Sequence, residues 1–91
     1  MEALKGFLMR VKEDHRVGPL HVSLYVVLLE ISDGGESPGV FAIYRNEVMA
    51  KAKIRAASTY YKVMKELSEW GYVVYIPERW PGKRSKVGVV R

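Results

Sequence analysis

The residues of this chain that can do chemistry on a partner gather in its second half. From Ala57 to Trp70, one side of a helical repeat carries Ser58, Tyr61, Lys62 and Lys65, and the other carries Tyr60, Val63, Met64, Leu67 and Trp70. Glu66 and Glu69 come late in this segment, so its positive charge sits toward its start. The positive pole of the helix dipole lies there too, and both favour an incoming phosphate. Gly71 ends the segment and a hairpin pattern follows: Tyr72 to Ile76, a loop from Pro77 to Ser85 holding Arg79, Trp80, Lys83 and Arg84, then Lys86 to Val90. A helix showing cations to solvent, followed by a ribbon with a cationic tip, is what holding a nucleic-acid duplex requires. The helix enters a groove and the ribbon touches the flanking backbone.

Charge is segregated in the same direction. Residues 1–44 hold four Lys/Arg against six Asp/Glu, a net −2, and residues 45–91 hold eleven against four, a net +7. Such asymmetry points to an acidic partner for the second half, nucleic acid first among them, against the plainer alternative of a solvated basic surface. Other chemistries lack their parts. There is no cysteine, so neither a disulfide framework nor a thiolate metal site is available, which fits a reducing cytoplasm. The two histidines, His15 and His21, read as capping or solvent-exposed groups. Gly34-Gly35 precedes no lysine motif, and no paired carboxylates suggest a catalytic pocket. We therefore expect no enzyme, no metal and no cofactor. The longest apolar run, Leu24 to Leu29, is far short of a membrane helix, so the expected location is the cytoplasm, at the nucleoid.

The elements that must position these residues fit one domain over residues 1–91, of α+β class and mainly α. Residues 2–14 read as a first helix with Leu4, Phe7, Leu8 and Val11 at helical spacing. Gly18-Pro19 breaks the chain, with Pro19 suited to the first position of a new helix. Leu20 to Ser32 is apolar nearly all round and too long for a typical strand, so it reads as the central core helix, with Leu20, Leu24, Val27, Leu28 and Ile31 on one face. Asp33 to Gly39 is a loop by composition, and Val40 to Tyr44 a short β-like run. Arg45 to Lys53 is a short helix with Val48 and Met49 inward. Only Lys53 to Ala56 separates it from the long helix, which makes the pair a helix-turn-helix candidate.

The order helix, helix, short strand, helix, turn, helix, hairpin resembles a winged helix-turn-helix domain with an added N-terminal helix. The matching stretches are His21-Val22-Ser23-Leu24-Tyr25, Arg45-Asn46-Glu47-Val48-Met49, and Ser58-Thr59-Tyr60-Tyr61-Lys62 followed by Lys65-Glu66-Leu67, with Gly71-Tyr72 and the Pro77 turn. In these the chain resembles small winged-helix proteins of bacterial mobile and accessory elements, from residue 4 onward. The resemblance implies residues 45–70 as the helix-turn-helix, residues 72–90 as the wing, and residues 1–16 as the added helix. Two positions depart from the pattern: Ala56 and Tyr44 stand where small polar caps are expected before the two helices.

On that resemblance the chain is expected to bind double-stranded DNA sequence-specifically, as a bacterial transcriptional regulator or accessory factor. Arg55 and Lys62 reach phosphate or a guanine edge, Ser58 either one, and Tyr61 a sugar or thymine methyl, with Lys65 alongside. Lys51 and Lys53, beside the turn, are expected on the backbone. Arg79, Lys83, Arg84 and Lys86 are expected on phosphates or a minor groove. Trp80 either wedges against the nucleic acid or folds back over the core edge. Leu4, Phe7, Leu8 and Val11 either pack on the core or pair with the same helix of a second chain, a homodimer suiting a palindromic site. The alternative function is a protein-interaction module for an acidic partner, with Tyr61 and Trp80 as anchors.

Overall fold

The computed structural model describes residues 2–32, 39–77 and 84–90, and among them the chain is α+β and mainly helical. The helices are α1 (Glu2–Lys12), α2 (Pro19–Ile31), α3 (Arg45–Ala52) and α4 (Ala57–Glu69). The strands β1 (Phe41–Ala42), β2 (Val73–Ile76) and β3 (Lys86–Val89) form one antiparallel sheet in the order β1-β3-β2. Thus the short strand before α3 pairs with the last strand, Phe41 opposite Val87, and ties the middle of the chain to its end.

A helix apolar nearly all round seeks cover on several sides, and α2 packs against α1, α3, α4 and β3, with Val26 and Glu30 left exposed. Leu24, Tyr25, Val27, Leu28 and Leu29 are buried on it. The inward face differs in part from the one expected: Leu20 is exposed and Ile31 half-buried, while Tyr25 and Leu29 take core positions. Leu20 lies in the first turn, on the rim of a groove shared with Thr59 and Lys62. Start signals fit the sequence, since Gly18 is the N-cap and Pro19 the first residue. The Gly18 N–H, which has no partner within the helix, donates to His21 Nδ1 at 2.9 Å. Ser23 Oγ donates to the Ala52 carbonyl at 2.6 Å, tying α2 to the end of α3.

Phe7 joins α1 to this centre. Its ring stacks on Tyr25 with centroids 3.7 Å apart and meets Tyr72 edge-on at 5.2 Å. Phe7 is therefore a core residue rather than a contact for another chain, and Leu4 and Val11 are half-buried against the same core. Leu8 stays exposed, and with Leu4, Lys5, Met9 and Lys12 it lines an open apolar strip on the outer side of α1.

Both α3 and α4 end in the same backbone device. At α4, Gly71 (φ 84°) donates to the Ser68 carbonyl and Tyr72 to the Leu67 carbonyl, while the Leu67 and Tyr72 side chains are both buried. At α3, Lys53 (φ 62°) donates to the Ala50 carbonyl and Ile54 to the Met49 carbonyl. Glycine is the residue expected in such a left-handed position, and a side chain there costs about 1 kcal/mol. Gly88, in the middle of β3, has a different reason to be glycine. A Cβ there would lie 3.0 Å from the Gly39 carbonyl oxygen, which crosses the strand at close range.

Candidate nucleic-acid interface

The long helix divides as its period requires. Tyr60, Val63, Met64 and Leu67 are buried, and burial pushes the Tyr60 phenol well above its ordinary pKa. Trp70 is half-buried at the helix end. Ser58, Tyr61, Lys62 and Lys65 are exposed on the other side, and Lys53 and Arg55 are exposed in the turn that leads into them. Ala56 caps the helix without any side-chain hydrogen bond, and no acidic residue lies in the first turn. The first turn of α4 therefore has neither a side-chain cap nor a carboxylate of its own, and exposed cations flank it.

These cations are not equivalent. The side chains of Lys53, Arg55, Lys62 and Lys86 have no ion-pair or hydrogen-bond partner among the described residues. Lys51 does: its ammonium lies 3.3 Å from Glu30 and 3.5 Å from Glu47, and the hydrogen bond to Glu30 raises its pKa. Lys65 sits 3.8 Å from Glu69. Arg84 turns back on the chain, donating to the Ala42 carbonyl at 3.0 Å and covering the Tyr44 ring at 3.7 Å. The cations expected to meet a ligand thus fall into an open group and an engaged one. Arg79, Trp80 and Lys83 lie outside the described residues, as does most of the loop expected at Asp33 to Gly39.

Sequence reasoning missed Tyr44 and Arg45. Tyr44, the N-cap of α3, is exposed with Arg84 over its ring. Arg45, the first residue of α3, donates from Nη1 to the Tyr61 hydroxyl at 3.0 Å, which raises its pKa further. Tyr61 in turn lies edge-on to the buried Tyr60. The signal available was an Arg beside a Tyr just before a basic helix, but sequence alone does not bring residue 45 to residue 61.

The opposite end of the domain holds a different kind of polar cluster. Arg16 grips Asp14 through Nε and Nη2, both at 2.8 Å, and the Tyr72 hydroxyl donates to Asp14 Oδ2 at 2.7 Å. These bonds, Arg16 first, hold the Asp14 carboxyl well below the usual carboxylate range. Arg10 lies over the Tyr72 ring and Arg16 over the Trp70 ring. His21 accepts from Gly18 at Nδ1, so its Nε2 carries the proton and donates to Glu66 at 3.0 Å. Thus His21 is the capping histidine and His15 the exposed one. Among the described residues no three His, Asp or Glu side chains converge as metal ligands would, and no helix is long and apolar enough to cross a membrane.

Comparison of the chain with known protein families, with curated proteins and with solved structures finds no match.

Proposed function

We propose that the protein binds duplex DNA sequence-specifically as a winged helix-turn-helix, with α4 in the major groove and the β2–β3 hairpin on the backbone. The observation that carries this is the division of α4 into a buried apolar face and an open face whose nearest cations, Lys53, Arg55 and Lys62, have no acidic partner among the described residues. On a helix whose cations served only solubility, acidic neighbours at i±4 would commonly compensate them, as Glu69 does for Lys65. Lys62 has Glu66 four residues on, but that carboxylate is bonded to His21 at 3.0 Å and forms no ion pair with Lys62, so the cations that lead into the proposed groove stay open. Arg55 and Lys62 supply donors for guanine edges or phosphates, Ser58 and Tyr61 contact base edges or sugar between them, and Lys53 and Lys86 meet phosphates. The resemblance of the sequence points to a role as a bacterial transcriptional regulator or mobile-element accessory factor.

The experiment is selection of bound fragments from a genomic duplex library, followed by anisotropy titrations of the winner and a scrambled duplex at several salt concentrations. We expect affinity to fall steeply with salt. Replacing Arg55 and Lys62 together by Ala should cost about 1–3 kcal/mol of discrimination for each base edge no longer held, with folding unchanged. Equal binding to winner and scrambled duplexes by the native protein would remove the claim of specificity. Failure to bind either at low salt, with capture of an acidic protein instead, would favour the interaction-module alternative.

A further inference from the structure

Besides Arg10 over Tyr72, two arginines among the described residues, Arg45 and Arg84, are oriented by tyrosines rather than by carboxylates. Arg45 comes from the first turn of α3 and is held by the Tyr61 hydroxyl of α4, with its guanidinium carbon 6.0 Å from the Tyr61 ring centroid. Arg84 enters from the segment before β3, lies 3.7 Å over the ring of Tyr44, and is tethered to the Ala42 carbonyl. Tyr44 and Arg45 are adjacent in the chain and all four residues are exposed, so the two pairs meet at the start of α3 through the backbone they share. Tyr44 is 54% exposed and Tyr61 43%, high values for rings that a core would otherwise take.

We propose that Arg45 and Arg84, preset by Tyr61 and Tyr44, form a clamp on the phosphates of the DNA backbone, each arginine holding one phosphate, a proposal that rests on the duplex-binding function above. A guanidinium offers a rigid fork of donors suited to two oxygens of one carboxylate or phosphate. Each of these arginines spends a single donor on the protein, and no acidic side chain pairs with either among the described residues. Arg16 shows the contrast, since its fork is filled by Asp14. A tyrosine hydroxyl or ring fixes the direction of a guanidinium without neutralising it. The rotamer freedom that a long side chain loses on binding is thereby lost beforehand, which favours a ligand.

The ligand that fits is a polyanion of regular spacing rather than a single free anion. Tyr61 is shared between this clamp and the open face of α4, next to Lys62, so whatever fills the clamp also runs past the strip of Lys53, Arg55 and Lys62. A phosphate carries no base identity. The clamp therefore sets affinity and the register of α4 on the duplex, and leaves the choice of sequence to Arg55, Ser58 and Lys62.

Anisotropy titrations of the selected duplex and a scrambled duplex over a range of salt test this with the full chain. Arg45 and Arg84 are exposed, so the Arg45→Ala, Arg84→Ala double variant should keep its helical circular dichroism and thermal midpoint. We expect its affinity to drop about tenfold or more on both duplexes alike, with a salt slope lower by about 2, one for each arginine that no longer neutralises a phosphate. Tyr61→Phe keeps the ring and every charge but frees Arg45, and should weaken binding several-fold on both duplexes. Arg45→Lys should fail to restore native affinity despite its charge. Native binding and an unchanged salt slope in the double variant, while the native protein does bind duplex, would overturn the clamp and leave the duplex function standing. Loss of sequence preference in the double variant would also overturn it, by placing the arginines on base edges. Absence of duplex binding by the native protein would overturn the clamp together with the function it rests on.

Discussion

The two ends of this domain treat charge in opposite ways. Where α1, the α1–α2 connection and the end of α4 meet, several charged side chains find polar partners within the protein: Arg16 with Asp14, Asp14 with Tyr72, and Glu66 with His21. Where α3, the turn and the first half of α4 meet, Lys53, Arg55 and Lys62 have none among the described residues, and Arg45 and Arg84 are held only by tyrosines and a carbonyl. The first arrangement ties sequence-distant elements together. The second leaves electrostatic repulsion unrelieved, at the start of a helix whose dipole adds to it. Charge is neutralised where the fold needs cross-links and left open where an anion is proposed to bind.

The largest effect that sharpens this contrast lies under the closed end. Phe7 is buried between Tyr25 and Tyr72, so Phe7→Ala should remove about 3–5 kcal/mol of stability, seen as a lower urea midpoint. Added saturating duplex should restore part of that loss by mass action, because the open face does not include α1. A midpoint within error of the native value would show that α1 is not part of the folded core.

How much of this is legible in the sequence follows from the range of each interaction. The period of α4 gives its buried face, because Tyr60, Val63, Met64 and Leu67 all sit on one side of a strongly two-faced helix. The phase of α2 is poorly legible for the opposite reason. A helix apolar on every side carries no period to read, so its residues suggest Leu20 as inward and give no sign of Tyr25 and Leu29. The β-like run before α3 is visible, but its pairing with β3 is not, since Phe41 and Val87 are far apart in sequence. Lys51 reads as a DNA contact because chain order offers it only Glu47, four residues back, and cannot bring Glu30 of α2 beside it. Gly71 is readable as a helix end. Lys53 in the same left-handed position is not, because nothing about a lysine announces positive φ.

A pH experiment probes the closed end more finely. Asp14 is held below its ordinary value of 3.8 by Arg16 first and Tyr72 second, so the folded state binds its proton more weakly than the unfolded chain. Its contribution to stability is therefore fully present above about pH 4 and is lost as pH falls from there through the lower, folded-state value. Asp14→Asn should be less stable than the native protein at about pH 7, and the difference should shrink below about pH 4. Tyr72→Phe should show a smaller version of the same trend, with one of the bonds to Asp14 gone. A difference between native and Asp14→Asn that stays constant down to about pH 2.5 would mean that the cluster contributes no proton linkage. The open face should be indifferent to this variant, so duplex affinity at neutral pH should not change.

The smallest expected change has the opposite sign and bears on the open face. Lys53 occupies a left-handed conformation, φ 62°, at a position where the equivalent residue of α4 is Gly71. Its N–H is already used by the helix end, so the side chain adds nothing to that cap. Lys53→Gly should relieve the strain and stabilise the fold by up to about 1 kcal/mol, less the entropy that glycine adds to the unfolded chain. If the cation is retained there for a phosphate, the same substitution should weaken duplex binding uniformly across sequences and lower the salt slope by about 1. Lys51→Ala serves as the matched control on the same side of the turn. Its ammonium already faces Glu30 and Glu47, so removing it should move the salt slope less than removing Lys53 does. A Lys53→Gly variant that gains stability and binds duplex as the native protein does would make the strained lysine incidental, and would place the edge of the open face at Arg55. A variant that gains stability and loses affinity would identify Lys53 as a residue kept for the ligand at the expense of the fold, and would fix the boundary between the two ends of the domain at the α3–α4 turn.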